Sequence, residues 1–181
     1  MTRPASDTRH RIQTVARELF TQKGVQRTSL QDIADRLGIT KPALYYHFPS
    51  REDLVRSILQ PLLDEGERFV TEHERRRGKA RATPRELLEG FFDFHYKHRA
   101  DLVLVVSELT TLADLGSIDM LLGWRERLTR LVFGPRPTLE QATRAVIAFG
   151  GLQDCCLQFP DALHDELRRA TVDGAMAALG L

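Results

Sequence analysis

Residues Ser29–His47 read SLQDIADRLGITKPALYYH, and the spacing within them decides the fold. Ser29 is suited to cap a short helix whose third residue is Asp32, so that each side chain satisfies an orphan amide of the other. Leu30, Ile33, Ala34 and Leu37 recur at i, i+3, i+4 and i+7, which is one apolar face of a two-turn helix. Gly38 ends that helix, because the residue after it needs a positive φ that glycine adopts without a steric penalty. Thr40 opens a second helix, and Pro42 is tolerated in its first turn, where a missing N–H has no partner to lose. Two short helices joined by a turn centred on Gly-Ile are a helix-turn-helix. Ala34 is small where the second helix must cross, and Leu44 and Phe48 share a face that closes the packing. Lys41, Pro42, Tyr45 and Tyr46 are left facing outward. Two adjacent exposed tyrosines beside a lysine suit a surface that lies against nucleic acid.

Charge supports the same end of the chain. Residues 1–52 hold nine Lys and Arg against five Asp and Glu, whereas the rest holds seventeen against twenty, within a net charge of +1 over 181 residues. A basic third on a mildly acidic body points to phosphate contacts at one end. The only cysteines, Cys155 and Cys156, are adjacent, which is no disulfide framework and fits a reducing cytosol. The opening MTRPASDTRHR has no apolar run of a secretion signal, and no stretch approaches the roughly 20 apolar residues of a membrane span. A cytoplasmic protein without membrane contact is expected.

Upstream of the motif, Ile12, Val15, Ala16, Leu19 and Phe20 mark a first helix from about Asp7 to Lys23, ended by Gly24. Arg9, Arg11 and Arg17 lie off its apolar stripe, where a solvated face and phosphate contact are both open. Downstream, Ser50 and Asp53 cap a fourth helix carrying Leu54, Val55, Ile58, Leu59, Leu62, Leu63 and Phe69. Pro61 lies inside it and removes one ladder bond, so a kink or break is expected near residues 58–61, either as a lever or as a bend around the core. Residues 71–83 are polar and charged and read as an exposed loop, the run Arg75, Arg76 and Arg77 included. Beyond it come a helix opened by Thr83, Pro84 and Glu86, a helical reading of 101–116 despite its strand-like LVLVV, and helices over 117–133 and 139–159. Asp161 is expected to cap the last, which ends at Gly180. The fold class is all-α: a three-helix DNA-binding head over residues 1–49 and a larger helical body over 50–181, about nine helices in all.

The pattern Thr28-Ser29-Leu30, Asp32-Ile33-Ala34, Leu37-Gly38-Ile39-Thr40-Lys41, Leu44-Tyr45-Tyr46-His47-Phe48 and Ser50-Arg51-Glu52-Asp53-Leu54 resembles the TetR family of bacterial transcriptional regulators. The likeness covers residues 9–58, with turn, recognition helix and fourth-helix start in register. It implies a homodimer on a roughly palindromic double-stranded operator, usually as a repressor, each third helix entering a major groove. A small-molecule effector in the body would shift the fourth helix, respace the heads and release the DNA. The resemblance carries base or phosphate contact onto Lys41, Pro42, Ala43 and Tyr45, and backbone contact onto Tyr46 and His47. Physically, a lysine reaches a guanine edge, and a proline ring or alanine methyl packs on a thymine methyl. Thr28, Ser29, Thr40 and Arg51 stand at helix starts, where free amides favour phosphate.

In the body, Phe91, Phe92, His95, Leu104, Trp124, Phe149 and Gln153 are the candidates for a cavity that takes a mostly apolar effector, and the same residues would also serve as core. His95 and His98 have a spacing that holds metals but lack a second pair, so no metal or cofactor is expected; His95 is read as pocket or core and His98 as surface. Cys155 and Cys156 are read as packing. Without a Gly-rich phosphate loop, GxSxG or HExxH, no enzyme is expected. Ala145, Ala148, Gly150, Gly151, Ala170, Gly174, Ala177 and Ala178 permit close helix approach, and the resemblance places the dimer interface there. Two other functions compete: a helical enzyme or lipophile carrier with a vestigial head, and a constitutive architectural DNA binder without an effector.

Overall fold

The computed structural model describes residues 5–76, 78, 81–107 and 117–181, and among these it is all-helical. The helices are α1 (Ala5–Lys23), α2 (Leu30–Leu37), α3 (Lys41–His47), α4 (Arg51–Arg75), α5 (Pro84–Lys97), α6 (Arg99–Ser107), α7 (Ser117–Phe133), α8 (Leu139–Gln158) and α9 (His164–Leu179). The end signals in the sequence explain most of these boundaries. Both halves of the capping box form at Ser29/Asp32, Thr83/Glu86 and Thr138/Gln141. Gly38 adopts φ 67°, and this left-handed turn lets its N–H bond to Asp35 O at 3.2 Å while Ile39 N–H bonds to Ala34 O at 3.1 Å.

Two buried clusters make the core. Ile12, Ala16, Phe20, Ile33, Ala34, Leu44, Phe48, Leu54 and Ile58 belong to the first, with Leu104 of α6 joining them. Leu62, Leu88, Phe92, Trp124, Leu128, Phe149 and Leu152 belong to the second. Helix α4 feeds both, and the seam between them falls between Leu59 and Leu62, at Pro61.

Several expectations are corrected. Helix α4 does not break at Pro61 but runs as one helix from Arg51 to Arg75. Its missing ladder bond is replaced from outside, because the Gln13 amide of α1 donates to Ser57 O at 3.2 Å, the carbonyl that Pro61 orphans. It also reaches past residue 71, where a loop was expected. Arg127 of α7 donates to both Glu67 and Glu74 at 2.7–3.0 Å and to Thr71, clamping the charged turns in helical form. Residues 99–107 are helix, as expected; the remainder of that stretch, with Leu109 and Leu112, lies outside the described residues, as does Arg77. Asp161 does not cap the last helix, which starts at His164 after Leu163 with no side-chain cap, its dipole met by Asp165 and Glu166. His98 is not at the surface: it is 8 % exposed, with Nε2 3.0 Å from Glu65 Oε2.

Candidate nucleic-acid interface

The outer face of the head is built by what α3 buries. Leu44 and Phe48 are 0 % and 1 % exposed against α1, α2 and α4, which forces the opposite side of a seven-residue helix into solvent. Thr40, Lys41, Pro42, Ala43, Tyr45 and Tyr46 are all exposed, Tyr45 at 41 % and Tyr46 at 83 %. The Lys41 ammonium sits 5.7 Å from the centre of the Tyr45 ring, a cation–π distance that holds both groups up together. The Tyr46 and His47 rings meet edge-on at 5.3 Å. Thr40 caps the helix by accepting from Ala43 N–H at 3.3 Å.

The C-terminal end of α3 is fixed from another helix. Arg9 of α1 donates to the His47 carbonyl at 2.9 Å and lies 4.3 Å over the Phe48 ring, so a cation closes the negative end of the recognition helix. A cleft of about 410 Å³ beside α3 gathers Ser29, Lys41, Tyr45, Ser50 and Arg51, four of which were expected at the interface. Arg51 donates to Val25 O, Gln26 O and Gln26 Oε1, all at 3.3 Å, so its first task is to tie the start of α4 to the turn after α1. The Ser29 amide donates to Asp32 at 2.8 Å, and this bond holds the Asp32 carboxyl below its ordinary pKa. An arriving phosphate therefore meets an anion at that helix start.

Thr28 departs from its expected role. It is 1 % exposed, and its hydroxyl bonds to Gly24 O at 2.9 Å and Leu19 O at 3.4 Å, so it locks the turn and offers nothing to phosphate. Arg17, left open between solvent and phosphate, is half-buried and pairs with Asp101 of α6 at 2.8 Å. Arg9 is the support of this face that the α3 spacing could not reveal, because its partner lies 38 positions away.

The effector candidates divide. Phe91 meets Phe149 edge-on at 5.1 Å and His95 at 4.0 Å. Phe94, not singled out in the sequence, joins His95 at 5.0 Å to Trp124 at 6.3 Å. Gln153 is half-buried and accepts from Arg125 at 3.4 Å. Phe92 instead stacks with Tyr96 at 5.7 Å and meets His164 edge-on at 5.6 Å. Leu104 packs with the head cluster and is not brought to this aromatic group. The Trp124 indole lies against Gly66 so closely that a Cβ there would enter the ring, and its N–H bonds to Glu67 at 2.8 Å. Gly66 is thus a contact surface for the indole. His95 donates Nδ1–H to Phe91 O at 2.9 Å, and burial lowers its pKa to about 4. Burial likewise pushes the Cys156 thiol up to about 12, away from thiolate chemistry. Among the described residues no three His, Cys, Asp or Glu side chains are placed to share a metal ion, and no helix is long and apolar enough to cross a membrane.

A capped two-turn helix, a left-handed glycine turn and a second short helix showing its aromatic side to solvent define a helix-turn-helix protein. Residues 12–58 match the model for bacterial regulatory proteins of the tetR family. Over this head the chain is similar to the TetR family of regulators. It is 34 % identical over 91 residues to the transcriptional activator FasR of Mycolicibacterium smegmatis, covering 50 % of this chain and 42 % of that one. It is 32 % identical over 104 residues to the transcriptional repressor KstR2 of Mycobacterium tuberculosis, covering 55 % and 50 %. The chain spans about half the length of these curated relatives. Its fold is that of a transcriptional regulator from Aquifex aeolicus VF5, with a TM-score of 0.74 at 24 % identity over 94 % of this chain and 98 % of that one. The solved KstR2 structure matches at 0.72 and 21 % over 96 % and 93 %.

Proposed function

We propose that the chain is a homodimeric transcriptional regulator, a repressor that holds operator DNA with α3 and lets it go when a small, mostly apolar molecule binds in the body. The observation that carries this reading is the exposed Lys41–Tyr46 side of α3, seated on a fully buried Leu44 and Phe48. Lys41, Pro42, Ala43 and Tyr45 face base edges; Thr40, Tyr46, His47 and Arg51 flank them along the backbone, while the Ser29 helix start is taken up by Asp32. Residues 1–49 are then the DNA-binding part and residues 50–181 the effector and partner part, acting in the cytoplasm without enzymatic chemistry.

Phe91, His95, Trp124, Phe149 and Gln153 line the effector region in this reading, an aromatic group with few polar tips. The partner copy covers α8 and α9. Val146 and Ile147 are exposed at 50 % and 63 %, and Gly151, Ala170, Gly174 and Ala177 are exposed beside them, whereas Ala145 and Ala148 are spent on the core. Small residues on two adjacent helices let a second pair approach closely.

The test is selection from a pool of random-sequence duplexes, followed by titration of the recovered duplex. Two chains per duplex are expected, with affinity falling about a thousandfold or more between about 50 and 200 mM salt through counterion release. Recovery of no preferred sequence, or affinity indifferent to salt, would contradict the proposal. Apolar compounds screened for release of that duplex then identify the effector class.

A further inference from the structure

Pro61 gives α4 a defect at a telling place, the seam between the head core and the body core. A proline at this position cannot bond to Ser57 O, and its ring crowds that carbonyl, one step before Ile58 O. Both carbonyls have partners, and both partners come from α1. Gln13 Nε2 reaches Ser57 O at 3.2 Å and Ser57 Oγ at 3.1 Å, while Arg17 Nη2 reaches Ile58 O at 3.2 Å. Gln13 and Arg17 are one turn apart, so α1 presents two donors on one face to two successive carbonyls.

Arg17 has a second obligation. Its Nε donates to Asp101 Oδ1 at 2.8 Å, in the first turn of α6, and Leu104 one turn on in α6 is buried in the head core. Asp101 in turn faces His98, which lies against Glu65 of α4 beyond the proline. One guanidinium, carried by the head helix α1, therefore touches α4 beside the proline gap and the body helix α6.

We propose that Gln13 and Arg17 are positioning residues for DNA binding, a splint across the Pro61 gap that keeps α4 one rod and, through Asp101, makes the seat of the head depend on α6. This rests on the regulator reading for its consequence at DNA. The splint itself does not. A continuous ladder at residue 61 would hold α4 whether or not α6 moved; the proline hands that control to side chains that a shift of α6 can withdraw.

The experiment compares the full chain with Gln13→Ala, Pro61→Ala, both together, and Arg17→Met. Amide hydrogen exchange of residues 58–65 is read without DNA. Gln13→Ala should speed it about fivefold, the worth of a typical net hydrogen bond, and Pro61→Ala in the same chain should restore it to within about twofold by returning a ladder donor to Ser57 O. Arg17→Met should speed exchange both there and in the first turn of α6. On the duplex recovered by the wild-type chain, Gln13→Ala should weaken binding by a similar factor with an unchanged salt slope, again rescued by Pro61→Ala. Unchanged exchange in Gln13→Ala, or an equal defect with and without the proline, overturns the splint. A binding defect in Gln13→Ala that Pro61→Ala leaves in place, although exchange is restored, would make Gln13 a DNA contact instead and overturn its positioning role. Should the wild-type chain retain no duplex, the regulator reading fails, and the exchange results still decide the splint.

Discussion

Tyr45→Ala will weaken binding to the selected duplex by about ten- to a hundredfold, the range of one lost base-edge contact, while the chain stays folded and dimeric. Two facts set both halves of this expectation. Tyr45 is 41 % exposed and packs on Lys41 alone among the ring and cation contacts of the described residues, so its loss opens no core cavity. Leu44 beside it, at 0 % exposure, carries the packing. The truncation also frees the Lys41 ammonium from its ring, and Lys41→Ala separates the two effects. A lysine on a base edge would leave the salt slope nearly unchanged and relax sequence preference; a lysine on phosphate would lower the slope by about one for every sequence alike. Titration at several salt concentrations reads both. Thermal melting within a degree or so of the wild type would confirm that only the interface was touched.

Acid will drain stability through His95, and His95→Phe will stop it. The folded imidazole has its pKa lowered from 6.5 to about 4, first by burial and further by the nearby charges of Arg125 and His98, against the favourable bond to Phe91 O. The unfolded chain therefore takes up a proton between pH 6.5 and 4 that the folded chain refuses. Stability from this group is complete above pH 6.5 and is lost as pH falls toward 4, by about 3 kcal/mol at about 1.4 kcal/mol per pH unit. Phenylalanine keeps the ring contacts to Phe91 and Phe94 and has no proton to take up. Denaturant unfolding at a series of pH values should show the slope in the wild type and a flatter line in the variant over that window. Parallel lines would mean that His95 is not the buried group described.

The helix-turn-helix was legible because every signal for it is local. Ser29 and Asp32 are three apart, Gly38 needs only its own φ, and Leu44 and Phe48 share a face by helical period. What escaped the sequence depends on partners far along the chain. Pro61 read as a kink or break, and what keeps the helix from breaking there is a donor from Gln13, 44 positions before the accepting Ser57. His98 read as surface because its cover is Glu65, and α4 read as short because Arg127 clamps its last turns from 53 and 60 positions away. The aromatic body was legible as buried but not as a site. Leu104 lies in LVLVV, apolar on every side, where periodicity gives no facing direction, and it turned to the head.

The central claim is that two copies of this chain each present the Lys41–Tyr46 side of α3 to a major groove. Footprinting of the selected duplex with the full chain bound tests it most directly. Two protected major-groove segments related by two-fold symmetry, their centres one helical turn (roughly 34–36 Å) or a multiple of it apart, are predicted, both fading in Tyr45→Ala. One segment alone, or protection that persists undiminished in that variant, would contradict it.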